Sequence, residues 1–142
     1  MPVQMELSRI LIRELTDFQI IELTEVQDGS DPLAEPRTFP IVIGLPEAQA
    51  IERRLNRVTI KRPQTHDLLA SVIESLGARL QSISITDLAE HTFFATLDVS
   101  TADGRELHID SRPSDAIALG VSLDVPIFVA EHVLEGAANT EE

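Results

Sequence analysis

The chain has 142 residues, of which 43% are hydrophobic and 25% are charged, as expected for one folded globular domain. It contains no cysteine, which excludes a disulfide framework and a thiolate zinc site. The formal net charge of −13 argues against broad contact with nucleic acid, because phosphate backbones are bound mainly by Lys and Arg.

The first half of the chain predicts three strands followed by two helices. We expect strands at 3–15, 18–26 and 39–43, with a turn at Thr16 and Asp17 and a polar loop at 27–37. A first helix is expected from Pro46 to about Asn56. A second is expected from Thr65 until Gly77, with its apolar residues turned inward: Leu68, Leu69, Val72, Ile73 and Leu76.

The second half predicts the same order of elements. Strands are expected at 79–88, 92–100 and 105–109, followed by a helix from Pro113 to Leu123 and a short strand at 126–130. We predict an α+β fold in one domain, with a mixed or antiparallel sheet packed with helices and a possible internal duplication of a three-strand-plus-helix unit. The domain is expected to span 1–135, and residues 136–142 to form a polar, disordered tail.

Basic residues are concentrated in one short segment. Five of the eleven lie between positions 53 and 62 with no acidic residue among them: Arg53, Arg54, Arg57, Lys61 and Arg62. Such a run creates a local positive field that can guide a phosphate backbone. It is equally typical of the solvated end of a helix, where Arg is favoured near the C-terminus.

Acidic residues occur at three predicted helix starts: Glu47, Asp67 and Asp115. Carboxylates in a first helical turn offset the helix dipole by about 0.3–1 kcal/mol each, which suffices to explain their placement one at a time. Capping does not explain His66 beside Asp67, nor Arg112 between Asp110 and Asp115.

The functional alternative brings these groups together around a phosphodiester. Asp67, Asp110, Asp115 and Glu47 are candidate oxygen ligands for a divalent metal, Mg²⁺ or Mn²⁺, that activates water. His66 is a candidate general base, and Arg112 can hold a phosphate in bidentate fashion. The catalytic residues predicted in this way are His66, Asp67, Asp110, Arg112 and Asp115. Arg112 could equally be only the ion-pair partner of Asp110 or Asp115.

Other catalytic signals are weak. No nucleophile elbow surrounds Ser111 or Ser114, and none of the six glycines forms a phosphate-binding loop. His91, His108 and His132 lack metal-ligand spacing and are interpreted as surface or strand residues.

Four ordered blocks give the chain a resemblance to a known family. They are Phe39–Ala48, Arg62–Leu69, Ile85–Ala95 and Ile109–Leu119, the last containing Asp-Ser-Arg-Pro-Ser-Asp. In these blocks the chain resembles the bifunctional nuclease domain family of bacteria and plants. The resemblance implies nuclease activity on both DNA and RNA.

Two functions therefore follow from the sequence. The first is a nuclease that hydrolyses DNA and RNA. The second is a non-catalytic binding or assembly module whose acidic helix starts are structural. A homodimer or other homo-oligomer is expected, since a sheet of this size leaves an edge or an apolar helix face to cover. The N-terminus lacks a secretory signal and no stretch is long enough to span a bilayer, so we expect a cytoplasmic protein without membrane contact.

Overall fold

The structure is a computed structural model that describes residues 2–13, 15, 18–26, 35–57 and 61–139. The predicted turn at Thr16 and Asp17 and most of the predicted loop at 27–37 lie outside these residues. The elements in chain order are β1 (Val3–Leu11), β2 (Gln19–Glu25), β3 (Thr38–Ile43), α1 (Leu45–Leu55), α2 (Thr65–Ser75), β4 (Arg79–Ala89), β5 (Thr92–Ser100), β6 (Glu106–Ser111), α3 (Pro113–Leu123), β7 (Ile127–Val129) and α4 (Glu131–Asn139). The predicted single α+β domain is confirmed.

One seven-stranded sheet organises the chain, in the order β3-β2-β1-β7-β4-β5-β6. Its pairs are antiparallel except β4 with β7, which run parallel, so the sheet is mixed. β7 joins two three-strand meanders, and each meander is followed by a helix. This order of elements does not by itself establish a duplication, which stays a prediction.

The hydrophobic core lies on one face of the sheet because apolar residues alternate along the strands. In β3, Phe39, Ile41 and Ile43 are buried while the residues between them are exposed. The Phe39 ring lies 5.6 Å from that of Phe93 in β5, although four strands separate β3 from β5 in the sheet. The sheet therefore curls around its helices.

Helix α3 occupies the centre of this curl. Its residues from 113 to 120 are buried except Asp115, which is partly exposed. Pro113 occupies the first helical turn, where its missing N–H costs nothing. Gly120 allows α3 to pack closely on β4, since an ideal Cβ there would lie 2.1 Å from Ile83 Cδ1.

The structure differs from the sequence expectations at two helices. Most of the predicted inward side of α2 faces outward: Leu68 is 56% exposed, and Leu76, at the C-cap, is 77% exposed. Ile73 is partly buried against the core as predicted, although no residue of α2 is fully buried. The helix packs on α3 through a few half-buried residues only. At the other end, α4 continues through Asn139 and buries Ala137, so ordered structure extends past the boundary predicted at residue 135. None of the described helices has the length and apolar character needed to cross a membrane.

The close contact between α3 and β4 predicts that a side chain at Gly120 destabilises the fold. Gly120→Ala should lower the free energy of unfolding by about 1–3 kcal/mol, because the added methyl group overpacks against Ile83. Gly136→Ala in α4 is the matched control, since the nearest atom to its Cβ would be Leu88 Cδ2 at 3.5 Å. It should be neutral or stabilising by up to about 1 kcal/mol through helix propensity. Urea denaturation followed by circular dichroism measures both, and equal stability of Gly120→Ala and wild type would contradict the packing argument.

Candidate functional site

Four polar side chains from the starts of three helices meet at one end of α3. They are Glu47 in the first turn of α1, His66 in the first turn of α2, Arg112 at the N-cap of α3 and Asp115 in its first turn. The sequence prediction named all four, and the structure brings them into direct contact. We call this group the Arg112 cluster.

Arg112 holds the cluster together. Its Nε donates to Asp115 Oδ2 at 2.8 Å, its Nη2 to Asp115 Oδ1 at 3.1 Å, and its Nη1 to Glu47 Oε1 at 3.1 Å. The bond to Asp115, assisted by Glu47, raises the pKa of Arg112 above its ordinary value. A guanidinium has five N–H donors, so two remain, and the Arg112 side chain is 64% exposed. The side chain is thus fixed in place and still able to bind an anion.

The Asp115 carboxylate also accepts a hydrogen bond from His66, whose Nε2 lies 3.1 Å from Asp115 Oδ1. Burial alone would raise the pKa of Asp115, but the hydrogen bonds from Arg112 and His66 outweigh it and lower the pKa below 3.8. With Asp115 ionised, a neutral imidazole donates through Nε2–H, which leaves Nδ1 as a proton acceptor. The His66 side chain is only 15% exposed, so its orientation is constrained.

Glu47 reaches Arg112 across the start of α1. An ideal Cβ on Gly44, the N-cap of α1, would lie 2.5 Å from Glu47 Oε2. A side chain at this N-cap would therefore require the end of the Glu47 side chain to shift.

Two members of the Arg112 cluster, Glu47 and Arg112, border a cavity of about 780 Å³ between β3, the turn joining β4 to β5, and the starts of α1 and α3. Glu47, Arg112 and the buried Ser114 lie in one part of its wall. Apolar side chains, among them Val42 and Phe93, form much of the rest. An apolar wall beside a fixed cation suits a ligand with an apolar ring and an anionic group.

Asp67 is turned away from the Arg112 cluster, although it follows His66 directly. Its Oδ2 accepts the backbone N–H of Gln64 at 3.1 Å, and its Oδ1 lies 3.4 Å from Arg54 Nη2. Asp67 therefore caps α2 and pairs with a cation of α1.

The basic run of the sequence divides into one buried and several accessible residues. The Arg54 side chain is only 6% exposed, and its Nη1 donates to Ala50 O at 2.6 Å. Desolvation lowers the pKa of Arg54 below its ordinary value. In the described structure Arg54 is therefore not accessible to a substrate, in contrast to the other basic residues of the run. Arg57, Lys61 and Arg62 are exposed, and Arg53 is half-buried and bonds to the side chain of Gln64.

Asp110 lies on the other face of the sheet. It is opposite Thr96 in the pairing of β5 with β6, so it shares a face with His108, while Leu97 and Ile109 occupy the core side. The structure therefore does not bring Asp110 together with Asp115, because one residue along a strand changes the face.

The predicted carboxylate set does not fit a divalent metal. Glu47 and Asp115 both bind Arg112, Asp67 binds Arg54, and Asp110 is on the opposite face. Within the described ranges, no group of three or more His, Asp or Glu side chains could hold a metal ion.

The sequence interpretation missed a second polar cluster on the face away from the core. Asp98 accepts hydrogen bonds from Ser82 at 2.7 Å, Ser84 at 2.6 Å, Thr96 at 2.9 Å and His108 Nδ1 at 2.9 Å. Burial would raise the pKa of Asp98, but these four donors together lower it. The alternation of polar residues in β4, β5 and β6 is visible in the sequence. The register that places these residues opposite one another is not.

Comparisons with known proteins point to one family. The model of the bifunctional nuclease domain matches residues 32–142. An uncharacterized protein of Mycobacterium tuberculosis (strain ATCC 25618 / H37Rv) is 42% identical over 101 residues, covering 71% of this chain and 59% of that protein. Bifunctional nuclease 1 of Oryza sativa subsp. japonica and bifunctional nuclease 2 of Arabidopsis thaliana are each 24% identical over 111 residues, covering 77% of this chain and 32% of theirs. The chain thus spans less than two thirds of the length of these relatives.

The lowered pKa of Asp115 predicts a pH-dependent contribution to stability. Because the folded pKa lies below the unfolded value near 3.8, the contribution is present above pH 4 and is lost as the pH falls through the folded pKa. Asp115→Asn should lower the free energy of unfolding at pH 7 by about 1–2 kcal/mol, and this difference should shrink below about pH 4.

The control is Asp110→Asn, at an exposed position on the other face of the sheet, which should change stability by less than about 0.5 kcal/mol. Urea denaturation between pH 3 and pH 7 measures both variants. A constant difference between wild type and Asp115→Asn over that range would contradict the assigned contacts.

Proposed function

The chain belongs to the bifunctional nuclease domain family, and from this premise we propose that it hydrolyses phosphodiester bonds of DNA and RNA at the Arg112 cluster. The family supports nuclease activity at a general level, and the named nucleases of rice and Arabidopsis are relatives at low identity. The observation that carries the assignment to this site is the contact of Glu47, His66, Arg112 and Asp115, which come from three helices and lie far apart in the sequence. A cytoplasmic location belongs to the same proposal.

Arg112 is the group proposed to bind the scissile phosphate. Its bonds to Asp115 and Glu47 fix the plane of the guanidinium, and its two remaining N–H donors match two oxygens of one phosphate. Negative charge on the phosphate oxygens changes as the reaction reaches its transition state. Two N–H donors that are already in position stabilise this charge without having to move, and this lowers the activation barrier. The apolar wall of the adjoining cavity is suited to a base or sugar next to that phosphate.

His66 is proposed to move the proton. Its Nδ1 takes a proton from a water molecule, the water oxygen forms a bond to phosphorus, and the bond from phosphorus to the leaving sugar oxygen breaks. Because the leaving oxygen lies on the opposite side of phosphorus from the attacking water, a solvent water protonates it, and the imidazolium later releases its proton to solvent. Asp115 stabilises the imidazolium through the bond to Nε2 and keeps the ring oriented. No step of this proposal passes through a metal ion, because the described carboxylates do not fit one.

The accessible part of the basic segment supports substrate binding. Arg57, Lys61 and Arg62 are exposed near the start of α2, the helix that carries His66 to Asp115. The Arg112 cluster holds two carboxylates for one guanidinium, so it does not attract a polyanion by itself. The neighbouring positive residues supply the attraction that the cluster lacks.

The non-catalytic module is the second candidate, and a specific observation favours it. Glu47 and Asp115 are both bonded to Arg112, and Asp67 is bonded to Arg54, so these carboxylates have partners that explain them as fold determinants. In that case the cluster joins three helices and has no substrate. Activity measurements on purified variants separate the two candidates.

Removing the side chain proposed to bind the phosphate should abolish most of the nuclease activity. Arg112→Ala should slow cleavage of labelled single-stranded DNA and RNA by about 100-fold, because a fixed donor pair to the phosphate is lost. Arg105→Ala is the control, as this arginine is 70% exposed in the turn between β5 and β6 and should leave the rate unchanged. Initial rates are measured with Mg²⁺, Mn²⁺ or a chelator, after circular dichroism has confirmed folding. Equal rates for wild type and Arg112→Ala would attribute cleavage to a contaminant and favour the module.

The basic segment predicts a salt-dependent loss of binding. The double substitution Arg57→Gln with Arg62→Gln should weaken binding of DNA and RNA alike and reduce the slope of log affinity against log salt by up to about 2. Arg9→Gln on β1, an exposed arginine of the other meander, is the control and should leave the slope unchanged. Fluorescence anisotropy titrations at salt concentrations from about 50 to 200 mM give the slopes. An unchanged slope in the double variant would remove this segment from the proposal.

A further inference from the structure

Helix α2 has an apolar side that nothing in the described part of the chain covers. Leu68, Val72 and Leu76 follow one another at a spacing of four residues and are 56%, 44% and 77% exposed. A spacing of four places these side chains along one side of the helix. An exposed apolar stripe of this size on a surface helix indicates a contact surface.

Strand β6 is uncovered in the same way. It is the last strand of the sheet, and its residues from 106 to 110 are exposed. Leu107 and Ile109 are 37% and 43% exposed, although they pair with Val99 and Leu97 on the core side of β5. β6 pairs with β5 in an unbroken register, whereas the opposite edge strand, β3, contains Pro40, which lacks a backbone N–H. β6 is therefore the edge that can accept another strand.

The ends of the two uncovered elements lie near each other. At one end of α2, His66 contacts Asp115 just beyond the end of β6. At the other end, an ideal Cβ on Gly77 would lie 3.6 Å from Ala102 Cβ, in the turn before β6. Helix α2 therefore runs antiparallel to β6 and on the same side of the sheet as Leu107 and Ile109. We call α2 and β6 together the edge surface.

We propose that the edge surface is the interface of a homodimer in which β6 of two copies pair antiparallel about a twofold axis at Ile109. This register places Ile109 opposite its own copy, Leu107 opposite Ser111, and His108 opposite Asp110. A twofold axis at His108 would instead place Glu106 opposite Asp110, two acidic residues whose repulsion disfavours that register. With the axis at Ile109, no two acidic residues of the strand lie opposite each other. An axis at Leu107 would also avoid such a pair, and the cysteine experiment below distinguishes these two registers.

A second copy suits this surface better than nucleic acid. The strand carries Glu106 and Asp110 beside apolar residues, and these carboxylates repel a phosphate backbone. An isologous pair would form one continuous 14-stranded sheet, twice the seven strands of one chain, and bring the exposed sides of two α2 helices toward the seam. The proposal is independent of nuclease activity, so the two can fail separately.

A charged residue on the edge should dissociate the dimer. Wild-type protein at tens of micromolar should show twice the mass of one chain in analytical ultracentrifugation. Ile109→Lys should raise the dimer dissociation constant at least about tenfold, because charge on a strand edge opposes pairing. Val42→Lys is the matched control, as Val42 is 58% exposed on the opposite edge strand β3 and should leave the dimer intact.

Cysteine substitution tests the register in a chain that has no other cysteine. Across the axis, the two copies of residue 109 would have Cα atoms about 4.5–5.5 Å apart, within reach of a disulfide. The two copies of residue 107 would lie about 14 Å apart. Under mild oxidation, Ile109→Cys should form a covalent dimer on a non-reducing gel and Leu107→Cys should not. A monomeric wild type, or cross-linking through Leu107→Cys in place of Ile109→Cys, would overturn the proposal.

Discussion

Arg112 and Asp115 together join three helix N-termini, and most of the structure at this end of the molecule depends on their contacts. The starts of α1, α2 and α3 carry partial positive charge, so bringing them together is unfavourable unless negative groups lie between them. Glu47 and Asp115 supply those groups, and Arg112 joins them by three hydrogen bonds. The capping role and the functional role of these acids are therefore not alternatives. The carboxylates that stabilise the helix starts are the same ones that fix the arginine.

This arrangement limits the chemistry that the site can perform. The Arg112 guanidinium lies against both Glu47 and Asp115, and its positive charge would repel a divalent cation bound to either carboxylate. What remains is a cation with unused donors and an imidazole oriented by Asp115. These groups suit phosphate binding and proton transfer, which is the chemistry that hydrolysis of a phosphodiester requires.

The sequence predicts the helices and strands better than it predicts which of their sides are buried. The bounds of β5 and α3 agree with the prediction because alternation and Pro113 are local signals. The outward side of α2 was misjudged, since a spacing of four identifies an apolar stripe but not the surface that covers it. Asp110 could have been placed from the sequence, because it has the strand parity of His108 and not that of Ile109. The Asp98 cluster could not, because it depends on the register of three strands.

The same strand links the Arg112 cluster to the edge surface. Arg112 follows β6 directly, so the position of its backbone is set by a strand that hydrogen-bonds to β5 on one side only. An edge strand opens more easily than a central one, because fewer backbone hydrogen bonds hold it. On the far side of the Arg112 cluster, α2 contributes His66 while burying none of its own residues. Two of the elements that position the site are thus the least covered in the described structure. In the proposed dimer β6 gains a second hydrogen-bonded neighbour, so pairing would stabilise the strand that precedes Arg112 without being required for the contacts that Arg112 already makes.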